Sequence, residues 1–352
     1  MRLVNRLKTV RDFDVRGKRV LVRCDFNVSL SNEGDILDDF RIRQTLPTIE
    51  YLIKKGAKII LMSHLGRPEG QVVEALRLTP IQTRLMEYLD VSITKAPKCT
   101  GSDLEKWTFQ MQPGEVFLLE NLRFYKEELE NDIKFAGDIA KLGDIYINDA
   151  FATCHRNQAS VVGVPKYLPH GVGFLLEKEI EFLTKIIENP KRPLVAIIGG
   201  KKVEKTKLNL INIFSGNGDW VLIGGLIKKG IKEQNIKLDY PQKVIEPVEK
   251  VIGLDISQKT VNLFKEKIKK AKTIFWDGVL GKTEEKKFQV GSEIIARAII
   301  TSNAFSVVGG GETVEFINRL GLSNQFNHVS TGGGAMMAFL SGEELPGIAA
   351  LK

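Results

Sequence analysis

Two runs of three consecutive glycines near the carboxyl terminus are the clearest chemical signal in the sequence. They are Gly309, Gly310 and Gly311, and Gly332, Gly333 and Gly334. Each run follows apolar residues typical of a buried strand and precedes apolar residues with helical spacing. Glycine lets the backbone turn tightly and leaves no side chain between the main chain and a ligand. The free N–H groups and the dipole of the following helix then attract phosphate.

A tight strand-to-helix turn that binds nothing would also explain a single triplet. Two such turns on neighbouring parallel strands would lie at one carboxyl edge of a sheet, which favours a shared phosphate site. Glu312 and Thr313 follow the first triplet, and a carboxylate there could hold Mg²⁺ that bridges phosphate oxygens. Residues 281–283 resemble the end of a P-loop, but Trp276 stands where that motif requires glycine, so we reject it.

Polar side chains also follow the strands predicted in the first half of the chain. These strands cover residues 18–28, 58–62, 116–120 and 144–148. We call the side chains at the carboxyl ends of these strands, and in the segments that follow them, the basic basin. They are Asp25, Asn27, Arg41, His64, Arg67, Arg123 and Arg156. A lone arginine at a strand end is usually just solvated. Several that converge on one sheet edge indicate a small anion with several charges.

The second half repeats the alternation of strands and helices. A strand at 194–198 leads into Gly199, Gly200 and two lysines, and the run 221–223 leads into Gly224 and Gly225. Glycines and lysines at such turns again suggest phosphate. An amphipathic helix over 177–188, followed by a proline, lies between the two halves. The pattern predicts an α/β protein built from two αβ halves.

Size and composition limit the possible functions. The chain has 352 residues, which suggests roughly two domains. It shows neither a bilayer-spanning apolar run nor a secretory signal, and its three scattered cysteines are typical of a reducing cytosol. The net charge of +8 indicates an anionic partner, either nucleic acid or small phosphates. Small phosphates are favoured because no basic motif interleaved with aromatic residues is present.

Many of these residues lie in motifs that follow one another in the order found in a single family. The motifs are VRCDFNV (22–28), RIRQTLPTI (41–49), SHLGRP (63–68), LENLRF (119–124), NDAFATCHRNQASVVG (148–163), GGKKV (199–203), GLDI (253–256), VVGGGET (307–313), HVSTGGGA (328–335) and LPGI (345–348). In these motifs the chain resembles the phosphoglycerate kinases along nearly its whole length.

The resemblance implies two Rossmann-like αβα domains with mainly parallel sheets that face each other across a hinge cleft. Residues 1–172 would bind 3-phosphoglycerate or 1,3-bisphosphoglycerate, 173–190 would form the interdomain helix, and 191–340 would bind ATP or ADP with Mg²⁺. Residues 341–352 would return to the first domain. The family implies a glycolytic, cytoplasmic monomer that acts on these small molecules, with neither nucleic acid nor membrane as partner.

The resemblance also assigns roles to single residues. The basic basin would bind the triose, and the transferred phosphoryl group would contact Arg41, Lys202, Gly310 and Gly333. The residues implied in nucleotide binding are Gly200, Lys202, Lys207, Gly224, Gly225, Glu284, Gly309, Gly310, Gly311, Glu312 and Thr313. Among these, Glu284 would hold the ribose and Glu312 the metal. Hydrophobic register favours Lys207 as the second family lysine, but Lys205 and Thr206 remain open.

Departures from the family pattern concentrate in the nucleotide half. Glu312 replaces the usual aspartate, and Asp277, Val279 and Thr283 stand where asparagine, proline and phenylalanine are usual. The segment 225–253 is much shorter than in the family. These departures leave open a metabolite-binding protein that has lost catalysis, and the basic surface leaves open a nucleic-acid-binding protein. The complete basic basin, Lys202 and both glycine triplets favour the enzyme.

Overall fold

The computed structural model describes residues 7–249 and 253–352. These residues form two compact units. The first unit contains residues 7–180 and 344–352, and the second contains the described residues from 181 to 343.

The first unit is built on a six-stranded parallel sheet. Its strands are β1 (Arg19–Cys24), β2 (Lys58–Met62), β3 (Ile93–Lys95), β4 (Val116–Leu118), β5 (Ile145–Asp149) and β6 (His170–Val172). Its helices are α1 (Phe40–Lys54), α2 (Thr79–Leu89), α3 (Ser102–Gln110), α4 (Lys126–Leu129) and α5 (Ile133–Ala140), while α6 (Phe174–Glu188) contributes to both units. The strand order is β3-β4-β2-β1-β5-β6. Every residue of β1 and β5 is buried, as expected for central strands covered by helices on both faces.

The second unit repeats this architecture with a second parallel sheet. Its strands are β7 (Leu194–Ile198), β8 (Trp220–Ile223), β9 (Val244–Ile245), β10 (Thr273–Asp277), β11 (Phe305–Gly309) and β12 (His328–Val329), in the order β12-β11-β10-β7-β8-β9. Its helices are α7 (Lys205–Asn217), α8 (Gly225–Glu233), α9 (Gln258–Lys270), α10 (Val290–Thr301), α11 (Gly311–Arg319) and α12 (Gly333–Leu340). The predicted α/β fold is confirmed.

The strand orders explain where ligands can bind. In the first unit the chain leaves β1 on one side to form β2 and later returns on the other side with β5. In the second unit β7 is likewise flanked by β8 and β10. Ligands of such doubly wound sheets bind outside the carboxyl ends of the strands, near the point where the strand order reverses.

The first strand is shorter than the sequence suggested. A strand over residues 18–28 was expected, but β1 ends at Cys24. Beyond Cys24, backbone amides donate hydrogen bonds to side-chain oxygens instead of to the backbone of a neighbouring strand. The amide of Phe26 donates to Ser63 Oγ at 2.9 Å, and the amide of Asn27 donates to Asp25 Oδ1 at 3.2 Å. The polar residues therefore leave the sheet as a loop over its carboxyl edge.

The end of the chain lies on the first unit. Helix α13 (Pro346–Ala349) packs beside residue 154, where the amide of Gly347 donates to the carbonyl oxygen of Cys154 at 2.8 Å. A β-carbon at Gly347 would come within 2.6 Å of Val161, so only glycine fits this contact.

No helix in the described part of the chain has the length and apolar character needed to cross a bilayer.

A buried carboxyl group at the start of α6 should make stability depend on pH. Asp149 Oδ1 accepts hydrogen bonds from the amides of Leu175 and Leu176 at 2.9 and 3.1 Å. Burial nevertheless raises the pKa of Asp149 from 3.8 to about 7. Because the folded state holds this proton more tightly than the unfolded state, stability should fall as pH rises through this window, by up to roughly 4 kcal/mol.

The variant Asp149→Asn should remove this dependence between about pH 4 and pH 7. The measurement is the free energy of unfolding from urea titrations across that range. Asp90→Asn, an exposed change at the end of α2, serves as the control and should keep the wild-type slope. An unchanged slope in the Asp149 variant would contradict the assignment.

Candidate active site

The carboxyl edge of the first sheet gathers the polar residues predicted from its strand ends. Arg41, on α1, donates through Nη1 to Asp25 Oδ2 at 2.8 Å and to the carbonyl oxygen of Asn27 at 3.2 Å. The side-chain oxygen of Asn27 accepts from the amide of Gly66 at 2.9 Å, which links the loops after β1 and β2. Asp25 and Asn27 thus hold Arg41 in place, and its other guanidinium donors have no hydrogen-bond partner in the part of the chain that the structure describes.

His64 lies at the centre of this cluster. The side chain is buried, with Nδ1 3.2 Å from Arg23 Nη2 and 3.9 Å from Asp25 Oδ1. Burial, followed by the positive charges of Arg23, Arg123, Arg41 and Arg156, holds the pKa of His64 well below its ordinary value. His64 is therefore a neutral imidazole at physiological pH.

Arg123 gives the strongest indication of an anionic ligand. The residue is only 4% exposed, and its Nη1 donates to the carbonyl oxygen of Gly66 at 2.6 Å. Its Nε and Nη2 are buried without a hydrogen-bond partner among the described residues. Burial and the neighbouring charges of Arg156 and Arg23 lower its pKa to about 10, so the group remains a cation. Buried donors on a cation need a partner, and an anion is the partner that supplies both charge and acceptors.

Arg67 and Arg156 lie at the outer part of the cluster. Arg67 is exposed and Arg156 is half-buried. Burial and the positive charge of Arg67 lower the pKa of Arg156, which places the two guanidinium groups within electrostatic reach of each other. The structure therefore brings all seven residues of the basic basin to one sheet edge.

A buried support lies beneath this edge, and sequence reasoning missed Ser160 and Glu128 in it. Arg23 is fully buried and donates through Nε to Ser160 Oγ at 2.8 Å. Ser160 in turn donates through Oγ and its amide to Glu128, at 2.6 and 2.8 Å. Burial raises the pKa of Glu128. Arg23 thus orients His64 from below, and the alternation of Arg23 with Asp25 in the sequence was the available signal.

In the second unit the two glycine triplets lie against each other. A β-carbon at Gly333 would be 3.6 Å from the Cα of Gly310 and 3.8 Å from the amide nitrogen of Gly311. One at Gly309 would meet Met336 Sδ at 2.2 Å. Gly310 adopts φ +84°, and α11 and α12 begin at Gly311 and Gly333. Two helix N-termini therefore meet at one point, with no side chain between them.

Lysines and carboxylates surround the glycine turns. Lys207 contacts the carboxylate of Asp277, which is 2% exposed, and its Cε lies 3.6 Å from the position of a β-carbon at Gly200. Lys205 and Thr206 are exposed, so Lys207 is the member of the three that reaches this loop. Lys202 is exposed, and its ammonium group forms no ion pair with any residue that the structure describes.

A pocket of about 820 Å³, counting the part open to solvent, lies beside these turns. Glycine backbone and apolar side chains line most of it: Gly200, Gly224, Gly225, Leu226, Leu254, Ile256, Val279 and Leu280. Leu226 and Leu254 are 42% and 52% exposed, so the pocket presents apolar surface to solvent. Glu284 stands at its edge. A pocket lined mainly by glycine and apolar side chains, with carboxylates such as that of Glu284 in its lining, suits a flat base attached to a sugar.

Glu312 is the candidate for a metal ligand. It lies in the first turn of α11, and its carboxylate is half-exposed. The described residues contain no group of three or more histidine, cysteine, aspartate or glutamate side chains that could hold a metal alone. A single carboxylate fits Mg²⁺, because this ion usually takes its other ligands from water and from substrate phosphates.

Comparison with known proteins assigns the chain to a family. The family model described as phosphoglycerate kinase matches residues 10–239 and 228–343. The chain belongs to the phosphoglycerate kinase family. The resemblance inferred from the motifs is thereby confirmed.

Individual phosphoglycerate kinases are similar over nearly their full length. The protein of Dictyoglomus turgidum is 44% identical, with 97% of this chain and 98% of the relative covered. That of Borrelia turicatae is 41% identical, with 98% and 99% covered. Among solved structures, phosphoglycerate kinase from Coxiella burnetii has a TM-score of 0.82 at 33% identity, covering 98% of each chain. The enzyme from Pyrococcus horikoshii has a TM-score of 0.85 at 31% identity, covering 97% and 98%.

The comparisons also show that relatives in the phosphoglycerate kinase family carry segments that this chain lacks. The alignment with the Dictyoglomus protein spans 389 positions, more than the 352 residues of the chain, so the relative carries segments that are absent here. The two matches of the family model overlap at residues 228–239, within the segment that the sequence identified as short.

Proposed function

We propose that the chain transfers a phosphoryl group reversibly between ATP and 3-phosphoglycerate, giving ADP and 1,3-bisphosphoglycerate. The triose would bind in the basic basin and the nucleotide at the glycine triplets. The observation that carries this proposal is the pair of buried donors on Arg123, which have no hydrogen-bond partner among the described residues and lie near further arginines. A small substrate with a phosphate and a carboxylate would satisfy these donors. A protein without catalysis is not favoured, because the family match extends over both sites.

The residues of the basic basin would position the triose. Arg123, Arg67 and Arg156 would bind its phosphate, and neutral His64 would donate a hydrogen bond. Arg41, held in place by Asp25, would direct its free donors toward the carboxylate that reacts. This carboxylate is already an ionised nucleophile, so the reaction needs no strong general base. Catalysis then consists of positioning and charge stabilisation.

The second unit would position the nucleotide. The base would occupy the slot beside Gly224 and Gly225, and Glu284 would accept hydrogen bonds from the ribose. The phosphates would lie at the N-termini of α11 and α12, where backbone N–H groups point outward. Lys202, free of ion pairs among the described residues, would neutralise charge on the transferred phosphoryl group.

Glu312 would hold Mg²⁺ together with the phosphates. When bound, the ion would supply positive charge that neutralises the phosphates. Thr313 has a structural task as well, because its Oγ1 accepts from the amide of Gly278 at 2.8 Å and so joins the two loops.

The remaining features of the family belong to the same proposal. We propose a cytoplasmic monomer that acts on small molecules without nucleic-acid or membrane partners. Residues 1–172 would serve the triose and residues 191–340 the nucleotide, with 173–190 as the helix between them. The net charge of +8 is then explained in part by the arginines and lysines that bind phosphate.

Separate binding experiments on the two ligands test this assignment. Arg123→Met should weaken 3-phosphoglycerate binding by about 30-fold or more, since it removes buried donors to a charged ligand, and should leave ADP binding unchanged. Isothermal titration calorimetry measures both affinities. Arg16→Met is the matched control, because this exposed arginine precedes β1 at the opposite sheet edge. Wild-type affinity for 3-phosphoglycerate in the Arg123 variant would contradict the proposal.

A further inference from the structure

Lys201 connects two carboxylates that the proposed function places on different parts of the nucleotide. Its Nζ lies 2.8 Å from Glu284 Oε1 and 3.0 Å from Glu312 Oε1. The three residues come from the turn after β7, the turn after β10 and the first turn of α11. Sequence reasoning singled out both glutamates but not this lysine.

One ammonium group therefore occupies the position of a cation between the two carboxylates. Glu284 and Glu312 both reach a single nitrogen atom, so both can reach a single metal ion near the same place. All three side chains are about half exposed, and Lys201 also lines the nucleotide pocket. Hydrogen bonds from Lys201 to Glu284 and Glu312 raise its pKa above the ordinary value, so the group stays charged.

We propose that in the nucleotide-free protein Lys201 bridges Glu284 and Glu312 and so occupies the carboxylate that would hold the metal, and that it moves to the phosphates when the metal–nucleotide complex binds. This inference rests on the proposed function, because it uses the nucleotide site assigned there. The exchange keeps the charge of the site balanced in both states. Without ligand, the ammonium separates two carboxylates that would otherwise repel each other; with ligand, Mg²⁺ neutralises Glu312 and the ammonium faces the phosphate oxygens.

The geometry explains why this exchange is feasible. Ion pairs between half-exposed side chains are weak, so a divalent ion bound with phosphate can displace Lys201 at little cost. Lys201 follows Gly200, which has φ +114°, and precedes Lys202. A released Lys201 therefore remains beside the residue that we assign to the transferred phosphoryl group, where a second positive charge would favour polyphosphate.

Glu312 is suited to this arrangement by its length. The carboxylate reaches Lys201 from the first turn of α11, and an aspartate would end one methylene earlier. Glu312→Asp should therefore lose the contact with Lys201 while keeping a carboxylate for the metal. Its effect on metal-free ADP binding should be small, because Lys201 itself is still present.

The test measures two affinities that should change in opposite directions. Lys201→Met removes the charge but keeps the length of the side chain. Binding of Mn²⁺ to the nucleotide-free protein, followed by electron paramagnetic resonance, should become about 3- to 10-fold tighter, because two carboxylates lose their internal cation. Binding of ADP without metal, followed by calorimetry in the presence of EDTA, should become about 3- to 10-fold weaker.

Two further variants control this experiment. Lys201→Arg should resemble the wild type in both affinities, because it restores the positive charge. Lys205→Met removes an exposed lysine of the neighbouring helix α7 and should change neither. A merely structural role of Lys201 would lower both affinities together or change only the unfolding midpoint.

The outcomes separate this inference from the proposed function. If the wild type binds ADP but Lys201→Met has unchanged or weaker Mn²⁺ binding, the inference is wrong and the proposed function stands. Unchanged ADP binding in that variant would also overturn the inference. If the wild type binds no nucleotide with or without metal, the proposed function fails and the inference fails with it.

Discussion

Replacing Lys202 with alanine is expected to lower kcat by about two to three orders of magnitude. The physical reason is that no carboxylate among the described residues holds the Lys202 ammonium group in place. Lys207 contacts Asp277 and Lys201 bridges two glutamates, whereas Lys202 has no ion pair among the residues that the structure describes. A free ammonium at a phosphate-binding turn can follow the phosphoryl group as its charge redistributes in the transition state.

The measurement is the steady-state rate of phosphoryl transfer from Mg-ATP to 3-phosphoglycerate. Because Lys202 acts on the transferred group, the KM for 3-phosphoglycerate should change little while kcat falls. Lys205→Ala is the matched control, since this lysine is also exposed but lies beyond the turn, at the first residue of α7. A kcat within about threefold of wild type would contradict the role assigned to Lys202.

Substitutions at the first glycine triplet should separate two effects of an added side chain, namely strain in the backbone and obstruction of the bound phosphate. Gly310 has φ +84°, and a β-carbon there would lie 2.4 Å from Asp277 Oδ1. Gly310→Ala should therefore lower the free energy of unfolding by about 1–2 kcal/mol and weaken nucleotide binding by more than about tenfold. Both effects follow because the loop that presents the N–H groups must shift.

Gly311→Ala is the matched control for strain. A β-carbon at Gly311 would meet no protein atom within 4 Å, and this glycine opens α11. The variant should thus fold at least as stably as wild type, yet bind ADP more weakly, because the new methyl group enters the space that we assign to phosphate. Urea titration and calorimetry with ADP give the two quantities. Wild-type ADP affinity in the Gly311 variant would place the phosphate elsewhere.

Residues that act through the backbone were the most predictable from sequence. Glycine triplets after apolar runs have few structural solutions, and parallel pairing of β11 with β12 brings both turns to one edge. The strand ends were predictable for the same reason, because every parallel strand delivers its next residues to the same edge. The α/β fold and the clustering of the basic basin follow from these local patterns.

Contacts between side chains distant in sequence were not predictable. Glu128 lies in a run of charged residues that suggests a solvated helix, yet it is fully buried beneath Ser160 and Arg23. Nothing in its neighbourhood marks burial, which depends on how α4 packs on the loop after β5. The bridge from Lys201 to Glu284 and Glu312 likewise depends on three turns that only the folded sheet brings together.

Strand length was misjudged where polar side chains replaced backbone partners. Alternation of Arg23, Asp25 and Asn27 favoured a longer strand. The amide of Phe26, however, donates its hydrogen bond to Ser63 Oγ and not to a neighbouring strand. Such replacement occurs at ligand edges, where the backbone must leave the sheet to present side chains. The position of Lys207 beside Gly200 and Asp277 also required the structure, and its role as the second family lysine stays a prediction.

The most direct test of the central claim is transfer of the radiolabelled γ-phosphate of Mg-ATP to 3-phosphoglycerate by the wild-type protein. We expect label in an acyl phosphate that hydroxylamine traps, with kcat of about 1–100 s⁻¹ as for other kinases, and no label when 3-phosphoglycerate is omitted. Binding of 3-phosphoglycerate without transfer from ATP, GTP or any other nucleoside triphosphate would contradict it. The chain would then be a metabolite-binding protein that retains the fold of the family.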